Sequence, residues 1–444
     1  MPSGDTMVQS MTAEQQHGAI AALGIDDTHF LREGIGEQAP SRNDCNALSP
    51  RLDALRTRIG AWRRGDEPSF LSLPFDSDWE KISQRGQHIS RTFRQTLVFG
   101  IGGSSLGGEM LTRTLGRSAH PVRFYDNLDP NTLFDPDTMN WEETMLIVVS
   151  KSGNTVETLG QFLAVLPALE SSLGPALSKH VLAITENSQG ALYKLARELG
   201  VEVLPHPPVG GRYSVLSVVG LLPAAIAGVD VQRLMNGARS MAERVSQTEI
   251  ERNPAFFQAA AQFLHAQRGR RLSLQFVYSD RLLPVPRWYA QLWAESLGKR
   301  DSAGVNHGLT PLAARGATDQ HSQLQLYLDG PDDKQITFIT SPELRHQGMR
   351  VPPRARDFDA VKLLAGHTLG EMFHAEFEAT RATLARRGRP NRTFNVPLDA
   401  YAIGELIVLL EMETVALAHF LGVDPFDQPA VEEGKRLAWD YLRR

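Results

Sequence analysis

The feature that most limits what this chain can fold into is a repeated unit. A short apolar, β-branched run is followed by Gly, Ser or Asn, and then by a stretch with helical periodicity. The runs are Thr96–Phe99, Val122–Tyr125, Met145–Val149, Val181–Thr185, Leu272–Tyr278 and Ile336–Thr340. Apolar runs of this length suit strands buried on both faces, and strand, loop and helix in repetition predict a parallel sheet sandwiched by helices. The runs fall into two sets, one ending near residue 205 and the other starting near 272, with an Ala- and Leu-rich helical stretch between them. At 444 residues the chain is too long for one compact core. The expected fold class is α/β: two tandem doubly wound parallel-sheet domains, 51–230 and 231–444, with helical N- and C-terminal extensions. The N-terminal extension covers residues 1–50, and its start, 1–17, is expected to be disordered. The two halves repeat in architecture rather than in letters.

Charge and composition exclude several function classes. A net charge of −5 gives no long-range attraction for nucleic acid, membrane or an anionic metabolite, so an anionic ligand needs a local cluster of donors. The single cysteine, Cys45, excludes an intramolecular disulfide framework and a Cys-based zinc site. Met1–His17 is polar and has no signal-peptide pattern. Residues 401–421 come nearest to the roughly 18–20 apolar residues of a membrane span, but Glu405, Glu411 and Glu413 interrupt them, which predicts a buried amphipathic helix. A cytoplasmic protein is expected, with no nucleic-acid or membrane partner. The basic run Arg381–Arg392 reads as a solvated loop, as does Asn391-Arg-Thr393. His367, Glu371 and His374 share a helical face but have no second ligand set, so no metal site is expected.

Two loops carry chemistry. Leu97-Val-Phe-Gly-Ile-Gly-Gly-Ser-Ser-Leu-Gly-Gly108 runs from a strand through small residues into a helix. Its glycines admit close backbone approach, and a helix N-terminus favours phosphate. A dinucleotide competes for the same loop: Gly100-x-Gly102-x-x-Ser105 misses the third glycine of that fingerprint, yet Asp126 ends the next strand about where a ribose-binding acid would sit. Met145-Leu-Ile-Val-Val-Ser-Lys-Ser-Gly-Asn-Thr155 is more specific. It delivers Ser150, Lys151, Ser152 and Thr155 ahead of a helix, giving three hydroxyls, an ammonium and a helix N-terminus within six residues. That set suits a dianionic phosphate.

Further along, Gln291 and Glu295 lie four apart on one helical face, among Trp288, Leu292 and Trp293. A carboxylate in such a partly dry setting has its pKa raised toward the range of a general base, unless it simply pairs with Lys299. Gly210-Gly-Arg-Tyr-Ser214 projects Arg212 from a tight turn, either toward a developing oxyanion or as a surface arginine closing a loop. Asp319-Gln-His-Ser322 places His321 in a loop, where a neutral imidazole can accept a hydroxyl proton or merely face solvent. Near the end, Phe426-Asp-Gln-Pro-Ala-Val-Glu-Glu-Gly-Lys435 is a loop feeding a helix that carries Lys435.

Taken in order, these segments resemble the glucose-6-phosphate isomerase family over about residues 95–440, above all in Gly-Gly-Arg-Tyr-Ser and Phe-Asp-Gln-Pro-Ala-Val-Glu-x-x-Lys. Ser-x-Ser-Gly-x-Thr after a strand is similar to the sugar isomerase (SIS) module. The resemblance implies that Glu295 moves the C1/C2 proton and that Arg212 steadies the enediolate. It implies that His321 and Lys435 open and close the ring. Ser150, Lys151, Ser152 and Thr155 would hold the phosphate, and Gly103, Ser104 and Gln291 would line the sugar site. It further implies a homodimer with His321 supplied in trans, and no metal or organic cofactor. Ser105 departs from the acid common in the family, and Ser152-Gly-Asn from a Thr-containing loop. A phosphosugar-binding regulator would need neither Gln-x-x-x-Glu nor the Arg and Lys motifs, and a dinucleotide oxidoreductase would leave Ser150–Thr155 unexplained. Mannose 6-phosphate as an additional substrate stays open.

Overall fold

A computed structural model describes residues 22–64, 66–67 and 69–443. The N-terminal stretch 1–17 lies outside the described residues. The strands in chain order are β1 (Gly24–Asp26), β2 (Gln95–Phe99), β3 (Val122–Tyr125), β4 (Thr144–Val149), β5 (Val181–Thr185), β6 (Glu202–Pro205), β7 (Leu272–Tyr278), β8 (Thr310–Arg315), β9 (Lys334–Thr340) and β10 (Asn391–Asn395). They form two five-stranded sheets, ordered β3-β2-β4-β5-β6 and β8-β7-β9-β10-β1. All pairings are parallel except that of β1 with β10. The like order of the two sheets makes the expected repeat of architecture explicit, with β7, β8, β9 and β10 taking the places of β2, β3, β4 and β5. The tandem α/β fold is therefore the one the repeated unit predicts.

Burial explains which strands the sequence announces. Every residue of β4 and β5 is buried, and both are apolar except for one threonine at an end, Thr144 and Thr185. The edge strand β8 is mostly exposed and reads Thr-Pro-Leu-Ala-Ala-Arg, with little to mark it. β10 is the opposite surprise. Asn391, Arg392 and Thr393, expected in a solvated loop, are buried in a strand. Arg392 is tolerated there because its charge meets Glu413 at 2.7 Å and its Nε donates to Thr337 at 2.9 Å. The basic run before it also differs from a loop: Leu369–Arg386 is a helix, capped by Thr368 and Glu371 in a reciprocal box. His367 contacts that capping Glu371 at 3.2 Å.

The helix Ala400–Leu421 is buried on all sides rather than on one face. It packs against the helices Val231–Arg244, Pro254–Gln267 and Pro284–Leu297, forming the largest part of the core. None of the described helices is long and apolar enough to cross a membrane.

Residues 22–50 are mostly short helical turns around β1, and they are tied to the second half by buried polar contacts. His265 Nε2 donates to Phe30 O at 2.8 Å, while its Nδ1 accepts from Arg270 Nη1 at 3.1 Å. Arg270 also donates to Gln38 O at 2.8 Å and grips Asp332 with two bonds. An imidazole that accepts from a guanidinium must be neutral on that nitrogen, and burial pushes His265 down to about 3. The unfolded chain takes up a proton near pH 6.5 and the folded one does not. This contact therefore stabilises fully above about pH 6.5, and that contribution is lost as pH falls toward 3. His265→Gln is expected to remove on the order of 4 kcal/mol from the acid-dependent stability change over that interval. The pH dependence of urea midpoints for the two proteins checks this, and identical profiles would contradict it.

Candidate active site

Order β3-β2-β4 makes the gap between the C-terminal ends of β2 and β4 the point where the connections part to opposite sides of the sheet. Such a point leaves a crevice. Both small-residue loops leave from it. The loop after β2 bends through Gly102, whose φ of +59° suits glycine. A side chain on Gly103 would strike the Gly211 backbone at 2.3 Å, so the first loop and the Gly-Gly-Arg turn touch main chain to main chain. Ser214 Oγ donates to Gly103 O at 3.4 Å, fixing the two together. Ser104 lies in the same turn, ahead of the helix Leu106–Leu115.

The loop after β4 holds Ser150 buried, with its hydroxyl 2.8 Å from Thr155 Oγ1, and Thr155 immediately precedes the helix Val156–Leu173 without a side-chain capping bond. Ser152 Oγ accepts from Asn154 N at 3.2 Å. The Lys151 ammonium is half-exposed and lies 3.4 Å from Glu186, an ion pair loose enough to be exchanged for an anion. Lys151, Gly210, Gly211, Tyr213, Phe426 and Gln428 share one cavity of about 380 Å³.

Arg212 is the centre of the arrangement and not a surface residue; it is 2 % exposed. Its Nη1 donates to Glu295 Oε2 at 3.0 Å and to Gln428 Oε1 at 2.9 Å. Its Nε donates to Ser296 Oγ at 2.9 Å, and Nη2 donates to Asp427 O at 3.0 Å and to Pro425 O. Gln291 Nε2 donates to Glu295 Oε1 at 3.1 Å, so both oxygens of Glu295 are engaged. A Cβ on Gly102 would come within 3.0 Å of Gln291 Nε2, which places this pair beside the first loop. Glu295 does not pair with Lys299, whose ammonium goes to Asp427. Nor is its setting the dry aromatic wall that the sequence suggests: two donors face it, and its side chain is 31 % exposed. Tyr213 lies buried under Arg212, with its hydroxyl 2.9 Å from Ser296 Oγ; burial pushes its pKa up to about 12.

The structure thus brings Gly103, Arg212, Gln291 and Glu295 together, with the Ser150–Thr155 loop at the neighbouring strand end. Two candidates stand apart. His321 is exposed in a turn after β8, in the second half, with no hydrogen bond or ion pair from its side chain among the described residues. Lys435 lies on the exposed helix Glu432–Leu442, one turn in, paired with Glu432 at 2.7 Å. Asp126, which keeps the dinucleotide reading open in the sequence, is bound to Arg287 at 2.5 Å. Sequence reasoning gives no role in the site to Ser296, Lys299 or Gln428. Only Gln428 has a signal, as part of the Phe-Asp-Gln motif.

Two sheets of like order, with a polar crevice at the switch point of the first, make a tandem doubly wound α/β fold. A glucose-6-phosphate isomerase from Chlamydia trachomatis shares that fold at a TM-score of 0.74 and 19% identity, covering 90% of this chain and 85% of that one. A family model described as phosphoglucose isomerase matches residues 79–443. The glucose-6-phosphate isomerase of Carboxydothermus hydrogenoformans is 35% identical over 442 residues, 95% of each chain. That of Rubrobacter xylanophilus is 39% identical over 413 residues, 89% of this chain and 93% of that one. A hypothetical protein of Thermus thermophilus superposes with a TM-score of 0.84 at 32% identity, covering 95% of this chain and 99% of that one. The chain belongs to the phosphoglucose isomerase family, and with it to the aldose–ketose isomerases.

Proposed function

We propose that this protein interconverts glucose 6-phosphate and fructose 6-phosphate by opening the ring and moving a proton between C1 and C2 through a cis-enediol, in glycolysis and gluconeogenesis. The observation that carries this reading is the Glu295–Arg212 pair beside the crevice that the Ser150–Thr155 loop edges. A carboxylate and a cation in contact supply what the transfer needs: a base for the carbon-bound proton and positive charge for the oxyanion that forms as it leaves. Ser150, Lys151, Ser152 and Thr155 hold the phosphate. Gly103, Ser104 and Gln291 face the sugar, with Gln291 also orienting Glu295.

Ring opening falls to His321 and Lys435. His321 reaches a neighbouring subunit's site in a homodimer, and the reading is supported by what the single chain leaves uncovered. The helix Glu432–Leu442 buries none of its residues and leaves Leu437, Trp439 and Leu442 exposed. The reaction is an internal redistribution of protons, so no redox cofactor takes part, and acid–base groups suffice without a metal. The cytoplasm is the compartment this reading assigns.

A coupled assay of fructose 6-phosphate conversion without added metal tests the function; absence of turnover would overturn it. Within the same assay, Lys151→Ala is expected to raise KM more than it lowers kcat, because the phosphate is held alike in ground and transition states. The reverse pattern would place Lys151 in the chemistry.

A further inference from the structure

A guanidinium has five N–H donors. All five of Arg212 are spent: on Ser296 Oγ, Glu295 Oε2, Gln428 Oε1, Pro425 O and Asp427 O. If Arg212 is to steady an enediolate, one partner must give way, and the surroundings decide which. Three of the five acceptors come from one short segment, Asp424–Gln428. Two of these are main-chain carbonyls, which move only if the segment moves.

Lys299 decides whether it does. Its ammonium donates to Asp424 O, to Asp427 O at 2.6 Å and to Asp427 Oδ1 at 2.5 Å. An ordinary surface lysine would pair with the carboxylate alone. This one is 9 % exposed and grips two carbonyls three residues apart. Asp427 O accepts from both Lys299 Nζ and Arg212 Nη2, so the two cations share an acceptor. Lys299 stands just beyond the end of the helix Pro284–Leu297 that carries Glu295 and Ser296. The segment, the guanidinium and the carboxylate are therefore referenced to one helix end. Gln428, by contrast, is held through a rotatable side chain and lines the cavity, so its amide can leave while the carbonyls stay.

We propose that Lys299 is a positioning residue for the reaction. By holding Asp424–Gln428 against the helix end, it keeps Arg212 Nη2 occupied and leaves Nη1, shared by Glu295 and Gln428, as the edge offered to a substrate oxygen. This rests on the isomerase reading above and adds to it a residue that touches no substrate. The charges agree: Arg212 and Lys299 are balanced by Glu295 and Asp427 before any anion binds.

The test compares full-length wild type with Lys299→Met and Lys299→Arg. In Lys299→Met, kcat is expected to fall about 10- to 100-fold with KM changed less than about threefold. The primary isotope effect with glucose 6-phosphate deuterated at C2 is expected to rise, because the proton transfer itself is slowed. Lys299→Arg, which keeps the charge and the donors, is expected to recover most of the loss. Amide hydrogen exchange in 424–428 of the ligand-free protein is expected to quicken in Lys299→Met. A variant that only lost folded protein would show a lower apparent kcat with an unchanged isotope effect, and that outcome overturns the proposal. So does a kcat within twofold of wild type, or unchanged exchange in the segment. If wild type fails to turn over, the isomerase reading falls, and the exchange result alone decides whether Lys299 holds the segment.

Discussion

Glu295→Gln is expected to lower fructose 6-phosphate turnover at least roughly a hundredfold, the low end of what general-base catalysis contributes. The substitution keeps length and planarity, so the helix Pro284–Leu297 and its burial are unchanged. What changes is that the amide cannot take a proton. It also brings an NH2 to a place where two donors already point: Gln291 Nε2 at one oxygen and Arg212 Nη1 at the other. One of those contacts becomes donor against donor in either amide orientation. The affinity for the sugar phosphate should alter less, because the proposed phosphate site is the separate Ser150–Thr155 loop. Steady-state kinetics of the two proteins check both statements. Equal kcat values would remove Glu295 from the chemistry, and a loss confined to KM would make it a binding group.

The second large effect concerns stability. Arg392 and Glu413 form an ion pair whose side chains are 1 % and 0 % exposed, joining β10 to the helix Ala400–Leu421. Gln258 accepts from Arg392 Nη1 at 2.9 Å, and Gln262 donates to Glu413. Removing one partner leaves a buried charge uncompensated and costs about 3–5 kcal/mol, whereas replacing both by apolar groups of similar volume is close to neutral. The two single variants are expected to differ. Burial already pushes the Glu413 pKa up against the opposing pull of Arg392, so an abandoned Glu413 can take a proton. A guanidinium has no such escape. Glu413→Met should therefore destabilise more than Arg392→Met, and the double variant should recover most of the loss. Urea denaturation of all three checks this. A double variant as unstable as the sum of the singles would mean that the pair is not coupled.

This pair also marks where the sequence stops being legible. Arg392 reads as solvated because a run of basic residues is normally on the surface. Its burial depends on Glu413, Thr337 and Gln258, each from a different element, and no local pattern in the chain reports such an assembly. The strands legible in the sequence are those with apolar residues on both faces, with the edge strand β3 as the exception, and their ends agree to within about two residues. β6 and β8 escape because these edge strands carry few large apolar residues, whereas the edge strand β3 keeps Val122, Phe124 and Tyr125. β1 escapes because three residues carry too little pattern.

The site follows a similar rule. Gly103 and Ser150 are legible because small and hydroxylic residues crowd a short window after a strand, the pattern that suits an anion. Spacing puts Gln291 and Glu295 on one face, but it misleads about the partner of Glu295. An i,i+4 lysine is the nearest cation in sequence, while Arg212 arrives from 83 positions away. His321 and Lys435 rest on resemblance, and a single chain supplies neither with a contact to the other site residues.

The pairing of β1 with β10 sets a timetable for synthesis. The strands of the first sheet lie within one continuous stretch and can associate as soon as that stretch has left the ribosome. The second sheet cannot close then, because Gly24 must wait for Asn395 at the end of β10, the last described strand to be made. Throughout that interval the first-made strand is a loose end without its neighbour. Joining it last closes a loop that takes in every other described strand, the slowest kind of contact to form. The second sheet is thereby complete only once its first described strand, β1, has met its last, β10.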